Sequence, residues 1–268
     1  MQLQDKVVVV TGGAGGIGAA LGRRFAAEGA RRVVLVDLDA GRAEQAATEV
    51  GTTARGVGCD VGDAAAVSAL VEDVITQDGP IDLFCANAGI ALGIEVTADD
   101  AEWQRMWQVN TMSIVYAARA LLPGWLERGQ GYLLVTASAA GLLSTLGDAA
   151  YSATKHAAVG LAEYLSITYG DRGVKVSCLC PQGVRTPMVF ADEAGGMLGT
   201  EQVKAAGIIE PDQVADAVVA TLAAETFLVL PHPQVREYFL AKANDHDRWL
   251  GGMRKFQRTL LAGGTVTR

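Results

Sequence analysis

"TGGAGGIG", residues 11–18, is the stretch on which the fold turns: five of its eight positions are glycine. It follows the apolar run "KVVVV" (6–10) and leads into "AALGRRFAAEG" (19–29), which has helical character. A continuous apolar run of that length reads as a strand buried on both faces. A glycine turn from such a strand into a helix presents free N–H groups and the positive end of a helix dipole to an anion. Two glycine patterns overlap here. Gly13, Gly15 and Gly18 spell G-x-G-x-x-G, while Thr11, Gly12, Gly16 and Gly18 spell T-G-x-x-x-G-x-G. Either brings backbone close to a phosphate, although glycines in a tight packing turn look the same in isolation.

The next strand-like run, "RRVVLVD" (31–37), ends on Asp37, nineteen positions after Gly18. An acid there reaches the ribose hydroxyls of an adenosine, and its charge repels a 2′-phosphate. Leu38 follows it, and Ala14 and Gly15 place no base in the glycine turn. These positions point to NAD rather than NADP. Asp60 and Val61, at the end of "ARGVGCD" (54–60), fall near the adenine; Asp60 either accepts from its amine or closes a turn.

Further apolar runs stand at "IDLFCA" (81–86), "GYLLVTA" (131–137), "VKVSCLC" (174–180) and "TFLVL" (226–230). Amphipathic segments near 16–28, 40–50, 63–77, 98–127, 150–170 and 211–224 separate them. Alternation of this kind predicts an α/β fold: a Rossmann-type, doubly wound parallel sheet of about seven strands with helices on both faces. "TADD" (97–100) reads as a capping box opening the fourth helix. One domain is expected over 1–268, with a substrate lid at 187–210 and a helical tail at 231–268. Trp249, Met253, Phe256 and Leu260 recur at helical spacing in that tail, against the breaking tendency of Gly251 and Gly252.

Composition narrows the classes. Half of the 268 residues are hydrophobic and 19% are charged, so a large core can form. The formal charge of −8 argues against nucleic acid as a partner. No apolar run reaches membrane-spanning length and "MQLQDK" lacks the apolar segment of a leader, so the expectation is a cytoplasmic protein without a membrane partner. Cys59, Cys85, Cys178 and Cys180 form no C-x-x-C and the three histidines are scattered, so no metal site is expected. His232 and His246 read as surface residues, and His156 as pointing away from the face of its neighbour Lys155.

"YSATK" sets Tyr151 and Lys155 four apart, on one helix face. A nearby ammonium can lower a phenol's pKa by about 1–3 units, bringing it toward use as a general base. Ser138, in "TASAAG" (136–141), lies just past the fifth run; Asn87, Ala88 and Gly89, in "CANAGI" (85–90), lie just past the fourth. Asn110 sits inside the long helical segment, a poor place for asparagine unless its side chain is used.

Taken together, T11-G12-x-x-x-G16-x-G18, N87-A88-G89, Asn110, Ser138 and Y151-x-x-x-K155 resemble the short-chain dehydrogenases/reductases of the standard type, over about residues 5 to 230. The resemblance selects Gly12, Gly16 and Gly18, with Ile17 between them, as the dinucleotide turn, and leaves Gly13 and Gly15 as conformational relief. It implies that Tyr151 exchanges the proton of a substrate hydroxyl or carbonyl and that Ser138 steadies that oxygen. Lys155 would bind the nicotinamide ribose and acidify the phenol, and Asn110 would hold a water in a proton relay. "PQGVRT" (181–186) is similar to the family's segment after the sixth strand, with Pro181, Val184 and Thr186 matching it and Gln182 where the family has glycine. Val184 and Thr186 would contact the nicotinamide carboxamide. A homodimer or homotetramer through 98–127 and 150–170 is a further implication.

The loops on the substrate side carry Ile90, Leu92, Ile94, Leu142, Leu143, Leu146, Met188, Val189, Phe190, Met197 and Leu198, with Arg185 the nearby cation. They predict a hydrophobic secondary alcohol or its ketone. The rival readings are a non-catalytic NAD sensor, an α/β hydrolase using Ser138, and an epimerase or dehydratase of the longer short-chain type. "TASAAG" is not the G-x-S-x-G of a nucleophile elbow. The complete Ser138, Tyr151, Lys155 and Asn110 set argues against a sensor, and the glycine spacing argues against the longer type.

Overall fold

A computed structural model describes residues 1–190 and 198–262. Its strands are β1 Val7–Thr11, β2 Arg32–Asp37, β3 Ala54–Gly58, β4 Leu83–Ala86, β5 Gly131–Thr136, β6 Val174–Leu179, β7 Gly183–Val184, β8 Ile208–Ile209 and β9 Leu228–Val229. Seven of them form one sheet in the order β3-β2-β1-β4-β5-β6-β9, every pair parallel. β7 and β8 pair separately. The seventh apolar run, at 226–230, supplies only two paired residues.

The helices are α1 Gly16–Ala27, α2 Ala40–Val50, α3 Ala64–Asp78, α4 Asp100–Trp107, α5 Ser113–Arg128, α6 Ala149–Tyr169, α7 Pro187–Phe190, α8 Leu198–Ala206, α9 Pro211–Ala224, α10 Gln234–Asn244 and α11 His246–Ala262. Among the described residues, none is long and apolar enough to cross a membrane.

The period-two geometry of β1 explains why "VVVV" carries no polar position. Val7 and Val9 face one layer, with Val67, Leu70 and Val74 of α3 and Ile114, Leu121 and Trp125 of α5. Val8 and Val10 face the other, with Leu21 and Phe25 of α1 and Val214, Val218 and Leu222 of α9. All four valines are fully buried. Strand order reverses beside β1, whose neighbours are β2 and β4, and this opens a crevice at the carboxyl ends of the strands.

The fourth helix differs from its sequence reading in two ways. Its cap is Asp99, whose side chain accepts from the Glu102 backbone N–H; the box at Thr97–Asp100 is not formed. A π-helical turn, Gln108–Met112, also interrupts the segment between α4 and α5. In the tail, α11 runs through Gly251 and Gly252 without a break. Its half-buried face is the predicted stripe of Trp249, Met253, Phe256 and Leu260, and the Trp249 ring lies 6.4 Å from that of Tyr238 on α10.

Candidate active site

The crevice is a cleft of about 380 Å³, within the range of small-molecule sites. Its floor is the glycine turn. Gly12 and Gly16 have φ of +63° and +53°, left-handed values that favour glycine. A Cβ on Gly12 would stand 3.0 Å from the Ala88 Cα, one on Gly16 would stand 2.9 Å from the Thr186 Cγ2, and one on Gly18 would overlap the Gly12 carbonyl. The three glycines of T-G-x-x-x-G-x-G therefore have separate steric reasons. Gly13 and Gly15 are not conformational relief, since neither has a positive φ. A Cβ on Gly13 would stand 2.9 Å from both the Leu35 Cβ and the Val10 oxygen, so Gly13 lets the turn pack onto β2. Gly15 is extended and is the N-cap of α1, with no side chain capping the first turn. A glycine-walled helix N-terminus of this kind fits the pyrophosphate of a dinucleotide.

Thr11 holds the next wall in place. Its hydroxyl accepts from the Asn87 and Ala88 N–H groups at 2.9 and 3.0 Å and donates to the Cys85 carbonyl. The Asn87 amide then bridges strands, donating to the Thr11 carbonyl and accepting from the Thr136 hydroxyl. Asn87, Ala88 and Gly89 border the cleft, as do Gly12, Gly16, Ile17, Asp37, Pro181, Val184 and Thr186. Gly18 packs behind the turn. Asp60 and Val61 do not border the cleft; the Asp60 carboxylate instead accepts from the Gly62 N–H at 2.8 Å, closing a turn.

Ser138, Tyr151 and Lys155 meet on the opposite wall. The Lys155 ammonium, buried on α6, donates to the Thr136 carbonyl at 3.0 Å and stands 5.6 Å from the centre of the Tyr151 ring. Burial lowers its pKa to about 8. Burial likewise pushes the Tyr151 phenol above its ordinary value; the Ser138 hydroxyl pulls the other way and the Asp148 carboxylate adds to the rise. Desolvation sets the direction of the phenol's shift in these surroundings.

Asn110 is buried in the π-helical turn behind this wall. Its Oδ1 accepts from the Ile90 N–H at 2.8 Å, and its Nδ2 donates to the Ile90 carbonyl at 2.9 Å and to Thr154 Oγ1 at 3.2 Å. A Cβ on Gly89 would come within 3.2 Å of the Lys155 nitrogen and 3.3 Å of the Asn110 Oδ1, so this glycine lets the two side chains close on one point.

A family model described as short chain dehydrogenase matches residues 6–195. The chain belongs to the short-chain dehydrogenases. It is 34% identical to 2-(S)-hydroxypropyl-CoM dehydrogenase 3 of Xanthobacter autotrophicus, over 85% of this chain and 93% of that one. It is also 34% identical to meso-2,3-butanediol dehydrogenase of Serratia marcescens, over 84% and 90%. Among solved structures, a short-chain dehydrogenase/reductase from Burkholderia phymatum in complex with NAD superimposes with a TM-score of 0.84 at 27% identity, covering 92% of this chain and 96% of that one. L-sorbose reductase from Gluconobacter frateurii, complexed with NADPH and L-sorbose, gives 0.76 at 28% identity, over 86% and 95%. These relatives support an oxidoreductase with a nicotinamide cofactor.

Three features of this short-chain dehydrogenase escaped the sequence reading. The first is Asp148, the N-cap of α6: its buried carboxylate accepts from the N–H groups of Tyr151 (2.9 Å), Gly93 (2.8 Å) and Leu92 (3.2 Å). An aspartate three residues before Tyr151 at a helix start was the available signal. Asp148→Ala strands three donors, each costing about 1–3 kcal/mol when buried. It is expected to lower the urea midpoint clearly and kcat by about tenfold through misplacement of Tyr151. The second is Arg42, which borders the cleft beside Gly15 and had no place in the cofactor argument. The third is His232, which is 2% exposed and not a surface residue.

The substrate end is less apolar than the loop composition suggests. Leu143, Leu146, Met188 and Val189 border the cleft, together with Ser144, Thr145, Gln182, Thr200 and Gln202. Ile90, Leu92 and Ile94 form a small cluster with Met106 and Ala150 that packs against Tyr151, and Leu142 joins the main core. Leu198 is buried outside the cleft wall. Met197, with Gly195 and Gly196 of the expected lid, and the Phe190 side chain lie outside the described residues. Arg185 is ion-paired with Glu210 at 2.6 Å.

Proposed function

We propose that this protein is an NAD-dependent alcohol dehydrogenase/ketoreductase that interconverts a largely hydrophobic secondary alcohol and its ketone. The observation that carries the reading is the convergence of Ser138, Tyr151 and Lys155 on one cleft with the glycine turn and Asp37. The cofactor supplies the hydride acceptor or donor. In this reading Gly12, Gly16 and Gly18 admit the pyrophosphate and Asp37 takes the ribose hydroxyls. Pro181, Val184 and Thr186 face the nicotinamide end. Ser138 donates to the substrate oxygen and stabilises charge developing on it. Tyr151 takes the alcohol proton, or returns it in ketone reduction. Lys155 holds the nicotinamide ribose and supplies a positive charge beside the phenol. Asn110 orders the Ile90 peptide and a water through which Lys155 exchanges protons with solvent.

The raised phenol pKa gives this reading a direction in pH. Oxidation needs the phenolate, which is scarce below the phenol's pKa; reduction needs the protonated form. With secondary alcohols and ketones of graded size, kcat/KM for oxidation is expected to climb into the alkaline range, while that for reduction holds at neutral pH and falls above it. Alicyclic and aromatic alcohols should outperform short hydroxy acids. Superimposable pH profiles for the two directions, or preference for the acids, would refute the reading.

Residues 187–210 are read as a lid. Gln202 on α8 accepts from the Leu146 N–H at 2.8 Å, tying that helix to the substrate loop. The outward faces of α6 leave Ile167 and Tyr164 exposed, which supports a homodimer or homotetramer through α5 and α6. Cofactor should protect the 187–210 region from protease, and light scattering should return at least twice the subunit mass. The four cysteines are free thiols, in keeping with a cytoplasmic setting.

A further inference from the structure

The segment 181–186 faces the cleft, yet it is held from behind. At its start, the Pro181 carbonyl accepts from the Ala139 N–H at 2.8 Å and from the Ser138 hydroxyl at 3.4 Å. Near its end, the Arg185 N–H donates to the Ile209 carbonyl at 2.9 Å. Between these points Gly183 and Val184 pair with Ile208 and Ile209 of β8, and an imidazole joins the Gln182 and Gly183 peptides from outside the cleft. His232 Nδ1 accepts from the Gln182 N–H at 3.2 Å, and its Nε2 lies 3.0 Å from the Gly183 carbonyl. A ring that accepts at Nδ1 and donates at Nε2 is neutral and locked in one tautomer. Burial lowers the His232 pKa, which favours that neutral form. Gln234, two residues on, extends the clasp: its amide donates to the Gln182 Oε1 and to the Ala206 carbonyl at the end of α8, each at 3.2 Å. Gln182 stands where the family has glycine, and its own side chain is thereby part of the fastening. It does so without a left-handed backbone.

We infer that His232 is a positioning residue for the nicotinamide-facing segment: it fixes the Gln182–Gly183 peptides from outside the cleft and so sets where Val184 and Thr186 stand. The inference rests on the reading of 181–186 given above. It requires that His232 matter for the nicotinamide half of the cofactor and not for the adenosine half, which the same reading assigns to the glycine turn and Asp37.

Two ligands and two variants separate these effects. NADH and ADP-ribose share everything but the nicotinamide, and their dissociation constants can be measured by titration calorimetry on the intact protein. His232→Phe keeps a flat aromatic ring, somewhat larger than imidazole, and removes both hydrogen bonds; His232→Asn loses volume and keeps an acceptor near the Nδ1 position. His232→Phe is expected to weaken NADH by about tenfold and ADP-ribose by less than about twofold, while His232→Asn stays within about threefold of the parent for NADH. If His232→Phe binds NADH like the parent, or weakens both ligands equally, the inference is overturned. Should His232→Phe fail to fold, the decision passes to His232→Asn: a tenfold loss of NADH affinity in that variant overturns the inference, and retention supports it. Failure of the parent protein to bind either ligand would instead overturn the functional reading on which the inference rests.

Discussion

Tyr151→Phe is expected to reduce kcat in both directions by about 10³-fold or more, with NADH affinity changed by less than about threefold. The substitution removes one oxygen and leaves the ring in its packing against Ile90, Leu92 and Ile94. The Asp148 cap binds the residue's backbone N–H, not its side chain, so α6 should start as before. What is lost, in the proposed mechanism, is the group that both gives and takes a proton at the substrate oxygen. Ser138 cannot replace it: its hydroxyl can donate to the substrate oxygen, but an aliphatic alcohol is too weak an acid to cycle as general base and acid there. Lys155 is turned toward the Thr136 carbonyl. Retained turnover in Tyr151→Phe, with cofactor bound, would move the proton transfer to another group.

The second large effect concerns the choice of cofactor. Asp37→Ser is expected to shift the ratio of kcat/KM for NAD over NADP by about 10²-fold toward NADP. A carboxylate within contact of a 2′-phosphate opposes it by about 3 kcal/mol once solvent screening is allowed for, and that repulsion disappears in the variant. Arg42 makes the change larger than removal of a charge alone, because its guanidinium already borders the same end of the cleft. The double variant Asp37→Ser, Arg42→Ala should recover NADP use only in part. Assays of both dinucleotides with one alcohol check this, and an unchanged ratio in Asp37→Ser would mean that the acid does not face the ribose.

The sheet was readable because each strand announces itself locally. Val7 to Val10 face two apolar layers and tolerate no polar residue, and the helices between strands carry their own periodicity. The Ser138, Tyr151 and Lys155 set was readable for a similar reason, since its spacing is fixed by one strand end and one helix turn. What escaped depends on direction or distance. Ile90 and Leu92 look identical in sequence whether they turn toward substrate or toward Met106. Gly13 is a packing glycine only because β2 lies behind it. His232 sits fifty residues from Gln182, and nothing local marks a clasp between them. Arg42 lies one turn beyond the strand end that the cofactor argument inspected. The cap at Asp99 was legible, because Glu102 follows it at capping-box spacing, but Thr97 competed for the same role.

The most direct test of the central claim follows the hydride itself. The protein is incubated with NAD and a secondary alcohol carrying deuterium on its carbinol carbon, and the dinucleotide is recovered and weighed by mass spectrometry. The account predicts one deuterium per reduced dinucleotide, delivered by the parent protein and abolished in Tyr151→Phe. NAD that binds in titration yet returns unreduced and unlabelled, with every alcohol tried, would contradict it and leave a protein that holds the cofactor without using it.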